Sequence, residues 1–148
     1  MNNPPPSIAG HTHLRLISAS GGYGDVHLYE ETALGRRVAV KVMRDSVVGT
    51  DAMRSFLAEA NTMARLEHPN IVRVYGSGRT ADGRPYLSMQ FCPEDTYERR
   101  ATTERLTVAE VLSTGVRVGS AVETAHRAGL LHRDIKPANI LKTPWGAP

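Results

Sequence analysis

Through the first two-thirds of the chain, apolar and polar positions alternate in short runs separated by glycine- and proline-bearing turns. Residues 13–17, 25–29, 37–42, 71–75 and 85–91 read as strands, with turns around 34–35 and 81–84. In the third run Val38, Val40 and Val42 take one face, while Ala39 and Lys41 share the other. The period becomes helical over 51–67, where Met53, Phe56, Leu57, Ala60, Met63 and Ala64 make an apolar stripe with Glu59 at its edge. His68-Pro69-Asn70 ends that helix. Residues 93–105 are charged and irregular. Thr107-Val108-Ala109-Glu110 then fits a capping box, opening a helix that carries Val108, Val111, Leu112, Gly115, Val118, Val122 and Ala125 on one face and stops at Gly129. That stripe finds few partners within this sequence. Trp145-Gly146 reads as a turn between two short strands, the second of which is missing, and residues 1–10, proline-rich and polar, read as a disordered tail.

Composition narrows the class without naming a function. At 148 residues and 41% hydrophobic content, one domain with a real core is expected, and 5% aromatic residues make that core aliphatic. The net charge of +3 comes with the arginine pairs Arg36-Arg37 and Arg99-Arg100 but no long basic run or aromatic platform, so nucleic acid is not an expected partner. Cys92 is the only cysteine, which excludes an internal disulfide and a cysteine-built zinc site. The start lacks a secretory signal, and no run approaches the roughly 18 apolar residues that span a bilayer. The expectation is a soluble, cytoplasmic chain, with any membrane anchor beyond residue 148.

The chemistry concentrates in Leu131-His132-Arg133-Asp134-Ile135-Lys136-Pro137-Ala138-Asn139-Ile140-Leu141. An acid, a lysine two residues on and an asparagine five residues on can converge on one phosphoryl group. Asp134 could accept a proton from a hydroxyl nucleophile, Lys136 could neutralise charge on the moving phosphate, and Asn139 offers a neutral oxygen to magnesium. A polar surface turn before a buried Ile140-Leu141 strand is the plainer alternative. Upstream, Ser18-Ala19-Ser20-Gly21-Gly22-Tyr23-Gly24 joins two strands through glycines whose backbone N–H groups can approach phosphates. Lys41, in an otherwise apolar strand, needs an anion or a snorkelling route to water.

These stretches, in this order, resemble the protein kinase catalytic domain. His132-Arg133-Asp134 followed by Asn139 is similar to the kinase catalytic loop, and the Lys-Pro-x-Asn ending resembles the serine/threonine branch. Gly21, Gly24 and Val26 match the second glycine, the third glycine and the valine of the glycine-rich loop. Tyr23 stands at its tip, and Ala19 replaces the first glycine, which should weaken ATP binding without abolishing it. Ala39 and Lys41 resemble the Val-Ala-Ile-Lys strand. Phrases such as Ala121-Val122-Glu123-Thr124-Ala125-His126 and Cys92-Pro93 look like bacterial, actinobacterial-type serine/threonine kinases.

The resemblance implies a kinase-like α+β fold: residues 11–92 as a five-stranded antiparallel small lobe with one helix and the hinge, and 93–148 as the start of a helical large lobe. It implies ATP and Mg2+ as cofactors, with Ala19, Gly21, Gly22, Gly24, Val26, Ala39, Lys41, Gln90 and Cys92 at the nucleotide, Met89 as gatekeeper, and Asn139 at the metal. Lys41 would hold phosphates and pair with Glu59, Asp134 would act as base, and Lys136 would stabilise the phosphate. His132 would brace the loop as a packing residue. The implied partners are a protein with serine or threonine acceptors and a second kinase copy. No Asp-Phe-Gly triplet occurs in the sequence, so the resemblance covers the first half or so of a kinase domain, expected to be inactive alone. The competing class is a non-catalytic nucleotide- or partner-binding remnant; a small-molecule phosphotransferase is disfavoured by Lys136 and the glycine-loop pattern.

Overall fold

A computed structural model describes residues 4–19, 24–45, 48–93 and 95–142. The chain divides into two compact units, residues 1–64 with 73–91 and residues 65–72 with 92–148. The segment 65–72 thus groups with the second unit, although the sequence places it between two elements of the first.

The first unit is a five-stranded antiparallel sheet with one helix. Strands β1 (His11–Ser18), β2 (Gly24–Glu31), β3 (Arg36–Met43), β4 (Val74–Arg79) and β5 (Pro85–Gln90) lie in the order β1-β2-β3-β5-β4. β3 is central, and its alternation sorts the two faces. Val38, Val40 and Val42 are at most 2% exposed and pack with Tyr29 and Ile8 on one side. On the other side Met43 and Leu87 pack against Phe56 and Ala60 of α1 (Asp51–Met63).

Two expectations are corrected here. Residues 4–10 are not a loose tail: they lie over the valine face, with Ile8 only 4% exposed. The Tyr29 hydroxyl donates to the Pro6 carbonyl, and the Ala81 amide donates to Ser7 O at 2.8 Å. Burying Ile8 contributes about 2 kcal/mol; its partners come from distant strands, so composition alone gives no sign of it. The other correction concerns boundaries. α1 stops at Met63 rather than 67, and β4 covers 74–79 rather than 71–75. β4 includes Gly76-Ser77-Gly78 because Tyr86 lies across the strand: a Cβ on Gly78 would sit 2.7 Å from the Tyr86 hydroxyl oxygen.

The second unit holds α2 (Tyr97–Thr103), α3 (Val108–Arg127) and a 3₁₀ turn at Pro137–Asn139. α2 has no apolar stripe. Its support is local: the Thr96 hydroxyl accepts from the Arg99 amide, and Arg99–Asp95 and Arg100–Glu104 pair at 2.8 and 3.0 Å. α3 opens with the expected capping box, Thr107 and Glu110 satisfying each other's backbone N–H. It closes with the amides of Gly129 and Leu130 donating to His126 O and Ala125 O, both at 2.9 Å, and Gly129 at φ +81°. This is the Schellman arrangement, which needs a left-handed residue at that step. Val108, Val111 and Leu112 of α3 are 76%, 48% and 64% exposed, as expected for a stripe with few partners here. His68 Nε2 lies 3.0 Å from Ser120 Oγ, tying 65–72 to α3.

On the outer face of the sheet, His13 Nε2 lies 3.1 Å from His27 Nδ1, with the Tyr29 ring edge-on 5.1 Å from His13. Burial holds both imidazoles below the ordinary value of 6.5; at His27 the neighbouring His13 and Arg84 add to burial, while Asp25 opposes it. The unfolded chain therefore takes up these protons first as the pH falls. Their contribution to stability is complete above 6.5 and is lost on acidification below it. Urea midpoints should fall between about pH 7.5 and about pH 5.5, and the His13→Gln/His27→Gln double variant should lose part of that slope. An identical slope in both proteins would contradict this assignment.

Candidate active site

Within the first unit, strand register gathers most of the expected nucleotide-binding side chains on one face. Val26 pairs with Lys41, Leu28 with Ala39, Ala39 with Met89 and Lys41 with Leu87. Directly opposed residues of antiparallel strands share a face, so Val26, Ala39, Lys41 and Met89 form one patch on the helix side of the sheet. Gly24, the third glycine of the loop, is required sterically: a Cβ there would stand 2.4 Å from the Val42 carbonyl oxygen. Gly21 and Gly22 lie outside the described residues, as does the tip residue Tyr23. Ala19 is described, and its carbonyl accepts from Arg44. The Gln90 amide donates to Arg73 O at 2.8 Å. Cys92 begins the second unit, and burial pushes its thiol above the ordinary value, which leaves it unreactive.

Glu59 lies on the expected helix but does not meet Lys41. It is exposed on α1, and among the described residues neither Lys41 nor Glu59 forms an ion pair. The Lys41 ammonium instead lies 5.9 Å from the Phe56 ring centre, within range of a weak cation–π attraction. Lys41 remains half-buried and available to an anion.

In the second unit the loop after Leu130 draws its acid, lysine and asparagine together. Lys136 Nζ is 3.2 Å from Asp134 Oδ2, and Asn139 Nδ2 donates to Asp134 Oδ2 at 3.1 Å and to Asp134 O at 2.8 Å. Both side-chain contacts end on Oδ2, leaving Oδ1 as the acceptor for an incoming proton. Local geometry explains the convergence. Lys136 is extended, Pro137 opens the 3₁₀ turn, and the Asn139 amide bonds back to Lys136 O at 2.9 Å. His132 braces the loop by hydrogen bonding rather than packing, since its Nδ1 accepts from the Asp134 amide at 3.2 Å. Arg133, at φ 65°, is the one non-glycine residue in the left-handed region among those described. That conformation stores on the order of 1 kcal/mol at the site.

The Lys136 hydrogen bond, then that of Asn139, holds the Asp134 carboxyl below its ordinary 3.8, with the Lys136 and His132 charges adding to the effect against slight desolvation. Asp134 is thus a charged acceptor at neutral pH. As metal ligands, the Asn139 amide oxygen and the Asp134 carboxylate are hard oxygen donors that suit magnesium held jointly with substrate phosphates. Among the described residues no group of three or more His, Cys, Asp or Glu could hold a metal alone. A cavity of about 450 Å³ between α2 and α3, lined by Tyr97, Glu110 and Lys142 among others, includes none of the loop's three chemical residues. The loop's chemistry is laid out on an exposed surface.

The protein kinase domain family matches residues 17–145. The chain belongs to the protein kinase family. The kinase is 42% identical to serine/threonine-protein kinase PknK of Mycobacterium tuberculosis over 86% of its own length and 39% identical to PknA of the same organism over 95%. It spans 12% of PknK and 34% of PknA. Its fold matches the crystal structure of the M. tuberculosis PknI kinase domain with a TM-score of 0.74 and 31% identity, covering 94% of this kinase and 57% of that chain. The fold is kinase-like, and the sequence is that of a bacterial, eukaryotic-type serine/threonine kinase catalytic region.

Removing the Lys136 donor should raise the Asp134 pKa. In a carboxyl NMR titration, Asp134 of the unaltered kinase should titrate below 3.8, and Lys136→Met should move it upward. An unchanged Asp134 titration in Lys136→Met would show that the contact at Oδ2 does not act on the carboxylate.

Proposed function

We propose that this kinase region binds ATP with magnesium and is built to transfer the γ-phosphoryl group to serine or threonine hydroxyls of a protein substrate in the cytoplasm. The convergence of Lys136 and Asn139 on Asp134 carries the reading, because phosphoryl transfer needs little beyond positioning and charge neutralisation. Asp134 Oδ1 accepts the proton of the attacking hydroxyl, and Lys136 turns from Asp134 to the transferring phosphate as its charge develops. Lys41 pairs with nucleotide phosphates, Val26 and Ala39 form the apolar surface for adenine, and the Gln90–Cys92 backbone supplies its hydrogen bonds. Asn139 holds magnesium by its amide oxygen. Magnesium, when bound, neutralises charge on the phosphates.

Two observations support a non-catalytic reading of these 148 residues taken alone. The Lys41–Glu59 pair that completes an active kinase is unformed among the described residues, and the sequence contains no Asp-Phe-Gly triplet for the second metal contact. Binding without turnover is therefore the behaviour expected of the chain by itself.

The test is a pair of measurements on the 148-residue chain: fluorescent-nucleotide affinity, and transfer of radiolabel from ATP to a protein acceptor. Saturable ATP binding, weakened about tenfold or more by Lys41→Met, with no transfer above the Asp134→Asn background, is the expected result. Transfer by the unaltered chain would overturn the binding-only reading of these residues. No nucleotide binding at all would overturn the nucleotide site.

A further inference from the structure

The cavity of about 450 Å³ between α2 and α3 is built within the second unit from residues that the loop chemistry does not use. Glu110, Ser113, Thr114 and Arg117 line it from α3, at the three- and four-residue spacing that puts side chains on one helix face. By the same period, that face is opposite the exposed apolar stripe of Val108, Val111 and Leu112. Tyr97 and Arg100 line the cavity from α2, and Ile140, Leu141 and Lys142 complete its wall. These pieces are pinned to one another. The Tyr97 amide donates to Ile140 O at 2.8 Å and the Lys142 amide to Asp95 O at 2.9 Å. Arg100 Nη2 lies 3.8 Å from Glu110 Oε1, joining α2 to α3.

We infer that this cavity is a binding site for a phosphate monoester carried on an organic body. Such a site stands independently of the nucleotide reading. Arg100, Arg117 and Lys142 bring positive charge to the cavity, and they are not equally committed. Arg100, its side chain 14% exposed, pairs with Glu104 at 3.0 Å. Arg117 and Lys142 form no ion pair among the described residues. Glu110 is occupied by its cap, Oε2 accepting from the Thr107 amide at 2.8 Å and from the Thr107 hydroxyl at 2.9 Å. Those bonds hold its carboxyl below the ordinary 4.5, and the Arg100 and Lys142 charges add to them against slight desolvation. The uncommitted charges of Arg117 and Lys142 match the nearly −2 of a phosphate monoester at neutral pH. A single carboxylate would neutralise only one of them. The Ser113 and Thr114 hydroxyls add donors for the phosphate oxygens. The Tyr97 hydroxyl is a separate sign: it is buried and has no partner among the described residues. Buried polar groups are seldom left so, and a phosphate oxygen in the cavity supplies the missing acceptor. Ile140 and Leu141 give the cavity an apolar side, and its volume exceeds that of a bare phosphate, so the organic part of an ester has a place.

Calorimetric titration of the 148-residue chain with four probes tests the site. The probes are a capped phosphothreonine tripeptide, its unphosphorylated counterpart, glycerol 3-phosphate and inorganic phosphate. At least one ester should bind saturably, and the tighter of the two identifies a protein or a small-molecule source. Inorganic phosphate should bind more weakly, and the unphosphorylated peptide should not bind. Arg117→Ala and Lys142→Ala should each weaken the tighter ester about fivefold or more. Tyr97→Phe should weaken it about three- to tenfold. The same change should leave the unfolding midpoint of the free chain unaltered or raised, because it removes an unpartnered buried hydroxyl. The Lys41→Met/Lys136→Met variant should bind the ester as the unaltered chain does. Absence of saturable ester binding, or inorganic phosphate bound as tightly as both esters, would overturn the site. So would affinity that survives Arg117→Ala/Lys142→Ala but is lost in Lys41→Met/Lys136→Met, since the phosphate would then lie at the chemical loop or the sheet. Unchanged affinity or a lowered midpoint in Tyr97→Phe would overturn the hydroxyl as a ligand contact.

Discussion

The register of β3 between β2 and β5 is the constraint on which the first unit depends. Side chains alternate across a strand with a period of two, so one choice of register decides every residue on both faces. Here it sends Val38, Val40 and Val42 into a layer closed by Tyr29 and Ile8, and Ala39 and Lys41 to the helix side beside Val26 and Met89. A slip by one residue would press the Lys41 ammonium into the valine layer and expose the valines. The apolar layer thus holds the lysine in place without touching it. Segment 4–10, with Pro6 and Ile8 buried, thickens that layer from outside and makes the proline-rich start part of the scaffold.

The second unit solves its positioning problem with backbone chemistry instead of a deep core. A capping box starts α3, a Schellman turn at Gly129 stops it, and the loop that follows is organised by five contacts within 132–139. These are short-range devices, each worth about 1 kcal/mol or less. They explain how Asp134, Lys136 and Asn139 converge while remaining exposed.

What was legible in the sequence follows from the range of the forces involved. β3 and α3 were legible because period, caps and stop signals are local, and the loop chemistry because all of its groups fall within six residues. Three features were hidden, two of them for non-local reasons. α2 lacks an apolar stripe and is held by ion pairs, a Thr96 cap and the Tyr97 amide bond to Ile140 O. β4 carries a glycine at 78 because Tyr86 covers that position. The Glu59 position was read from a helical edge, yet whether it meets Lys41 depends on the rotation of α1 against the sheet, which no local pattern encodes.

The proposed function requires that the helix-side face of β2, β3 and β5 receive nucleotide. Backbone amide and methyl chemical shifts of the 148-residue chain, followed as magnesium-ADP is added, test it most directly. The account predicts saturable shifts concentrated at Val26, Ala39, Lys41 and Met89, with His13, His27 and Val40 on the opposite side of the sheet nearly still. Saturable shifts centred on that opposite side, with Val26 and Ala39 unmoved, would contradict it.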